Sequence, residues 1–258
     1  MLAIGLGQGK LPVFEICRES TVASNILRSR SGWLTLALAL FITALVYWPG
    51  LSGGWLFDDY PNIVDNHGVQ PNEVSLPAFI QVALSSPASD FKRPLASLSF
   101  AANYLVGGLA PFGWKLFNLF IHLLNGVGIY LLVKGFLQLA GQQAEMRAPP
   151  DHPSDAPFPG LAGKRFNPDN DTIAALIASA WLLLPINLTA VLYVVQREES
   201  LANLFVLAGL IAYVSGRRRM LSQAQGWPYF QCAASLVLPV AMGILAKETA
   251  VMLPVYAF

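Results

Sequence analysis

Five stretches of this chain are long, apolar and almost free of charge, which is a severe constraint on what it can fold into. They run from Trp33 to Pro49, Leu116 to Val133, Thr172 to Gln196, Ser200 to Gly216 and Gly226 to Ala246. Crossing a hydrocarbon core about 30 Å thick takes a helix of roughly 17–25 residues. Inside that core a segment must satisfy its own backbone polar groups, so such stretches fold as helices. Composition agrees: 55% of the 258 residues are hydrophobic and 12% are charged, where a soluble domain carries about 25% charged residues. The sequence therefore predicts an all-α polytopic membrane protein with about five transmembrane helices. Its net charge of +1 offers no footprint for a nucleic acid partner. Cys17 and Cys232 are too few for a disulfide framework.

Lysine and arginine set the expected orientation, because they accumulate on the cytoplasmic side. With the N-terminus inside and five crossings, eleven of these residues lie inside and five outside. Arg217, Arg218 and Arg219 form a stop directly after the fourth run. Arg28 and Arg30 precede the first run, which is longer than a cleaved signal's apolar core of about 7–15 residues, so it reads as an uncleaved anchor. Pro94 to Trp114 is also uncharged, but Leu95, Leu98, Ala102, Leu105 and Leu109 share one helical face and Gly107-Gly108 break the run. This predicts a helix lying in the membrane interface.

These readings divide the chain into a cytoplasmic tail over 1–32 and a transmembrane domain over 33–258, with an outer loop over 50–114 and an inner loop over 140–171. The stretch 148–160 is Pro-rich and reads as unstructured. The apolar run after Glu248 is too short to span before Phe258, so the sequence reads as the front part of a longer protein.

The polar residues that could carry chemistry fall in separate segments. Asp58 and Asp59 are adjacent carboxylates just beyond the first span; such a pair can supply a general base or hold a divalent cation, or it can form a solvated turn. Arg93 can bind a lipid phosphate or anchor the interface. Asn118, His122 and Asn125 share one face of the second span, where polar groups face protein or a water-filled path; hydrogen-bonded glue between helices is the plainer reading. Arg197, Glu198 and Glu199 occupy the hairpin between the third and fourth runs, and Lys247 and Glu248 close the fifth. The topology puts all the charged members of this set on the outer face. Acids and cations gathered at an interface suit an amphipathic, lipid-linked phosphate.

The order of these pieces resembles the GT-C superfamily of membrane glycosyltransferases, and within it the branch of transmembrane and tetratricopeptide-repeat O-mannosyltransferases with their bacterial relatives. The resemblance rests on segments 57–66 (PheAspAspTyrProAsnIleValAspAsn), 93–100, 118–125, 185–202 and 246–254, in the family's order. It implies a polyprenyl-phosphate sugar donor, an acceptor protein or glycan, and an active face that is periplasmic if the source is bacterial. It implies Asp58 with Asp59 as the catalytic pair and Glu199 as a second acid. It further implies that Arg93, Arg197 and Lys247 neutralise the donor phosphate, with Asn118, His122, Asn125 and Glu248 in support. The alternatives are a non-catalytic assembly or lipid-binding protein of the same architecture and, with less in its favour, a transporter. Neither the residues nor the resemblance fixes a metal requirement.

Overall fold

The computed structural model describes residues 31–147, 169–222 and 226–258. Residues 1–30, including Cys17 and the tail's basic residues, the Pro-rich stretch 148–160, and Lys164 and Arg165 lie outside the described residues. Those that are described are helical, with no strand among them.

Helix α1 spans Ser31–Ser52, and its last turn, Trp48–Ser52, tightens into a 3-10 helix at Pro49. The outer loop follows and carries α2 (Leu76–Ala83) and α3 (Pro94–Gly107). Next come α4 (Pro111–Arg147), α5 (Asn170–Leu182), the short α6 (Leu188–Leu192), α7 (Arg197–Ser222), α8 (Trp227–Ile244) and α9 (Leu253–Tyr256). Four of these helices are long and apolar enough to cross a membrane, and α5 with α6 forms a bent pair, which gives up to five crossings if the pair is one span. The helices turn apolar side chains outward where a soluble helix would turn charge: Leu34, Leu38, Phe41, Leu45 and Trp48 of α1 are all exposed. The chain is thus an all-α polytopic membrane protein.

Cross-links at the two ends of the bundle give the direction of each crossing. At one end Ser31 Oγ lies 3.0 Å from Thr172 Oγ1, and Lys134 pairs with Asp171 at 2.9 Å, joining the starts of α1 and α5 to the far half of α4. Leu36, Tyr130, Ala174, Ala175 and Ala178 pack between them. At the other end Tyr47, Leu51, Leu119 and Val191 form a second cluster. So α1 and α5 run one way and α4 the other. Helix α7 starts beside the start of α4, through Arg197 and Asn118, and so runs parallel to it.

Two sequence expectations are corrected. The run Thr172 to Gln196 is one uncharged stretch but not one straight helix: it bends by 56° between Leu182 and Pro185. Pro185 has no N–H to donate and holds Leu184 extended, at ψ 127°, so the helix cannot continue through it. The inner loop does not begin at residue 140, because α4 continues to Arg147. At 1.5 Å per residue that helix is about 55 Å long and extends well past the hydrocarbon.

The outer loop has its own core. Ile63, Val69, Ala96, Phe100, Trp114 and Val194 are buried together, with Trp55 and Tyr104 against them. Helix α3 buries Ala96, Ser97, Phe100 and Ala101 and leaves Ala102, Leu105, Val106 and Leu109 exposed. Of the five positions expected on one apolar face, Ala102, Leu105 and Leu109 are exposed, while Leu95 and Leu98 are half-buried, Leu95 against the cluster of Ala202, Val206 and Ala246. Trp114 fixes its end by donating from its indole N–H to the Gly108 carbonyl at 2.9 Å.

Candidate active site

A bent span leaves backbone groups without helical partners, and in a membrane these must be satisfied from elsewhere. Here α4 supplies the donors. Asn118 Nδ2 donates to the Val194 carbonyl at 3.2 Å, and His122 Nε2 lies 3.1 Å from the Leu182 carbonyl. Asn125 Nδ2 donates to the Ser200 carbonyl at 3.0 Å. The ring of His122 stacks on Trp181 and meets Tyr47 edge-on. The three residues share one face, as their spacing predicts, and all are buried. Their contacts are those of polar glue at the breaks.

Asp59 satisfies the N–H groups at the junction of α6 and α7, where Asn118 meets the Val194 carbonyl. Its side chain is fully buried. Its carboxylate accepts the Val195 N–H at 2.8 Å, the Val194 N–H at 3.4 Å and the Leu56 N–H at 3.0 Å. Val194 and Val195 lie in the turn that leads into α7, so Asp59 caps the positive end of that helix from 135 residues away in sequence. Burial pushes its carboxyl above the usual range, while the three N–H donors and the Lys115 charge oppose the rise. Lys115 in turn donates to the carbonyls of Gly53 and Gly54, at 2.9 and 2.8 Å.

Arg197 is buried beside them. Its Nε donates to Asn118 Oδ1 at 2.8 Å, Nη1 to the Ser99 carbonyl at 3.0 Å and Nη2 to the Trp114 carbonyl at 2.9 Å. The rings of Phe100, Trp114 and Phe117 surround the guanidinium, at 5.1, 5.5 and 4.7 Å. The sequence placed Arg197 at an open hairpin facing a donor phosphate; the structure makes it a cross-link between α3, α4 and α7. It has no face turned to the outside.

Asp58 is different: its side chain is exposed. Its backbone N–H donates to the Tyr193 hydroxyl at 3.0 Å, and its carbonyl accepts from Asn62 Nδ2 at 2.8 Å. Phe57 before it has φ 34°, a left-handed conformation costly for a bulky residue. The chain after it coils as a π-helical turn, Tyr60–Val64. Buried Asp59 and strained Phe57 thus hold Asp58 at the surface between them.

The remaining charges form a second network. Arg93 donates to Glu198, and through Nη2 and Nε to Glu248 at 2.9 and 3.2 Å. Lys247 pairs with Glu199 at 3.1 Å, and the Thr249 hydroxyl donates to the same carboxylate. Burial works against ionisation of Glu248, but the Ser89 hydroxyl and Arg93 hold its carboxyl down at about 2. Burial likewise opposes the charge on Arg93, yet the two glutamates carry its pKa above the ordinary value. Lys92 and Arg93, at φ 59° and 42°, are both left-handed, a second strained point in the same region. Every charged candidate therefore comes to one end of the bundle, as the topology predicts. Their partners were only partly legible: Ser99, Tyr193 and Thr249 lie inside the segments that carry the resemblance but were not singled out, and Ser89 lies outside them. No group of three or more His, Cys, Asp or Glu side chains among the described residues has the arrangement to hold a metal ion.

The fold and this site define an integral membrane protein with a polar centre built where a bent crossing meets an ordered outer loop. Its homologues are protein O-mannosyl-transferases, which bears out the resemblance read from the motifs. The chain is 26% identical to Protein O-mannosyl-transferase TMTC3 of Homo sapiens over 188 residues, covering 70% of this chain and 17% of the relative. It is 28% identical to Tmtc3 of Drosophila melanogaster over 182 residues, covering 68% and 18%. It is 26% identical to Tmtc1 of the same organism over 247 residues, covering 91% and 23%. The chain thus spans about a fifth of the length of the curated relatives it matches. No family model matches it, and no solved structure does.

Proposed function

We propose that this chain forms the outer-face catalytic unit of a membrane glycosyltransferase that moves a sugar from a polyprenyl-phosphate donor to an acceptor hydroxyl, on a protein or a glycan. The observation that carries the reading is the exposed Asp58 fixed between a strained Phe57 and a buried Asp59. In this reaction Asp58 takes the proton of the acceptor hydroxyl as its oxygen bonds to the sugar's anomeric carbon. The bond from that carbon to the phosphate oxygen breaks, and the electron pair leaves with the polyprenyl phosphate. Asp59 is a positioning residue that acts through the backbone of its neighbour. Relatives named as O-mannosyl-transferases support the transfer chemistry; the lipid donor, the non-cytoplasmic face and the residue roles belong to the proposal.

Geometry favours Lys247 over the two arginines as the cation for the donor phosphate. Arg197 is enclosed, and Arg93 is held by two carboxylates. The Lys247–Glu199 pair is more exposed, and such a pair contributes only about 0–1 kcal/mol, so a phosphate can displace Glu199 at little cost. Glu199, released, is then free to meet the acceptor. The engagement of Arg93 also favours a second reading, in which the network is a structural lock in a non-catalytic protein. Transfer from a polyprenyl-phosphate sugar by the full-length protein separates the two: Asp58→Asn is expected to lower turnover by about 10²–10⁴-fold, the usual weight of a general base. Unchanged turnover would remove Asp58 from the mechanism and leave the lock.

A further inference from the structure

We infer that the end of the bundle opposite the Asp58 loop carries a binding site for an anionic phospholipid, in a groove between α4 and α7. Two adjoining cavities share Ser215 and Arg218. The larger, of about 240 Å³, is walled mainly by Leu131, Leu132, Ile211 and Val214, with Lys134 and Gln138 also on its lining. The smaller, of about 200 Å³, is lined among the described residues by Gln142, Ser215, Arg218 and Arg219. A water in the liquid takes about 30 Å³, so each cavity has room for more than water. An apolar trough leading into a basic, hydroxyl-bearing mouth matches an acyl chain leading to a phosphate diester.

The site also contains polar atoms that lack partners. Arg218 Nε and Gln142 Oε1 are both buried, and neither has a hydrogen-bond partner among the described residues. A buried donor or acceptor left unpaired costs about 1–3 kcal/mol, more for a charged group. One is a charged donor and the other a neutral acceptor. A phosphate oxygen satisfies the first and a headgroup hydroxyl the second, which points to a phosphatidylglycerol-type lipid. The neighbouring cations are otherwise engaged: Lys134 is paired with Asp171, and Arg219 donates to Gln231. Along α7 the step from Arg197 to Arg218 is about 32 Å at 1.5 Å per residue, which is one hydrocarbon thickness. The groove mouth therefore lies at headgroup depth. The inference is independent of the glycosyltransferase reading.

Native mass spectrometry of the full chain, released from micelles containing phosphatidylglycerol and phosphatidylcholine together, tests this. One phosphatidylglycerol should be retained in preference to phosphatidylcholine, and retention should fall about tenfold in Arg218→Gln. Arg217→Gln removes the same charge from an exposed neighbour that bonds Met220 and does not line either cavity, and it should retain the lipid. Millimolar inorganic phosphate should not compete. Gln142→Leu should reduce retention without lowering the melting temperature. The inference is overturned by equal retention of both lipids, by an equal loss in Arg217→Gln, or by saturation with phosphate ion alone. It also fails if Gln142→Leu lowers the melting temperature and leaves retention intact, since Arg218 and Gln142 would then be bonding each other. If Arg218→Gln does not fold, Arg218→Lys keeps the charge without Nε and should show the same loss.

Discussion

Two adjacent carboxylates in this chain sit in opposite environments, Asp58 exposed and Asp59 fully buried. Asp59 ends three backbone N–H groups, with both oxygens used. An asparagine there keeps one acceptor and turns an NH2 group toward donors. Asp59→Asn is therefore expected to destabilise the fold by about 1–3 kcal/mol, the cost of unpaired buried groups, and thermal melting in detergent reads it. Asp58→Asn should leave that melting curve unmoved, since the Asp58 carboxylate is exposed. Glu248 gives a pH signature. Its folded pKa of about 2 lies below the ordinary carboxylate value of 4.5, so its contribution is complete above pH 4.5 and is lost as pH falls toward 2. The melting temperature of wild type should drop across that window, and Glu248→Gln should flatten that part of the profile. From sequence, the charged positions could be seen to converge. Which of them were enclosed could not, because burial of Arg197 depends on Ser99 and Trp114, about 80 to 100 residues away.

Among the elements, the spans were legible because a bilayer demands about twenty apolar residues whatever surrounds them. The break in the third was not read, although Pro185 marked it. Its role depends on His122 meeting the freed Leu182 carbonyl, as the next junction depends on Asn118 and Asp59 meeting Val194 and Val195, and these are tertiary facts. Close helix approach was also hidden. In membranes helices associate through packing, so small residues set how near they come. On α7, a Cβ added at Gly209 would lie 2.8 Å from the Ser235 carbonyl oxygen of α8 and 2.6 Å from Leu253 Cδ2. The leucine tip can move, but the backbone oxygen cannot without shifting α8. Gly209→Ala is thus expected to cost about 1–3 kcal/mol despite the helix preference for alanine. Gly141, with nothing near its Cβ position, is the control, and Gly141→Ala should leave the melting temperature level or raised.

At the scale of the molecule, the proposed function requires the Asp58 loop and the arginine cluster to face opposite sides of the membrane. With α5 and α6 counted as one span, the cross-links fit five crossings: α1 and α5 begin together, α4 and α7 run parallel, and Lys247 beyond α8 returns to Glu199 at the start of α7. An odd number of crossings separates the basic end from the acidic one. The expected orientation rests on charge, since a cluster such as Arg217, Arg218 and Arg219 resists translocation. This is testable in a chain whose own Cys17 and Cys232 are replaced by alanine. A cysteine at exposed Glu73 should react with a membrane-impermeant maleimide in intact cells. A cysteine at exposed Arg217 should react only after the membrane is opened. Labelling of both in intact cells would mean that α5 and α6 enter and leave on one side as a re-entrant hairpin, leaving four crossings. The site proposed at Asp58 and the lipid groove at Arg218 would then share a face, and the lipid donor and the structural lipid would compete for one leaflet. Labelling of Arg217→Cys alone would invert the protein and place Asp58 in the cytoplasm, where a sugar donor exposed only on the far leaflet could not reach it.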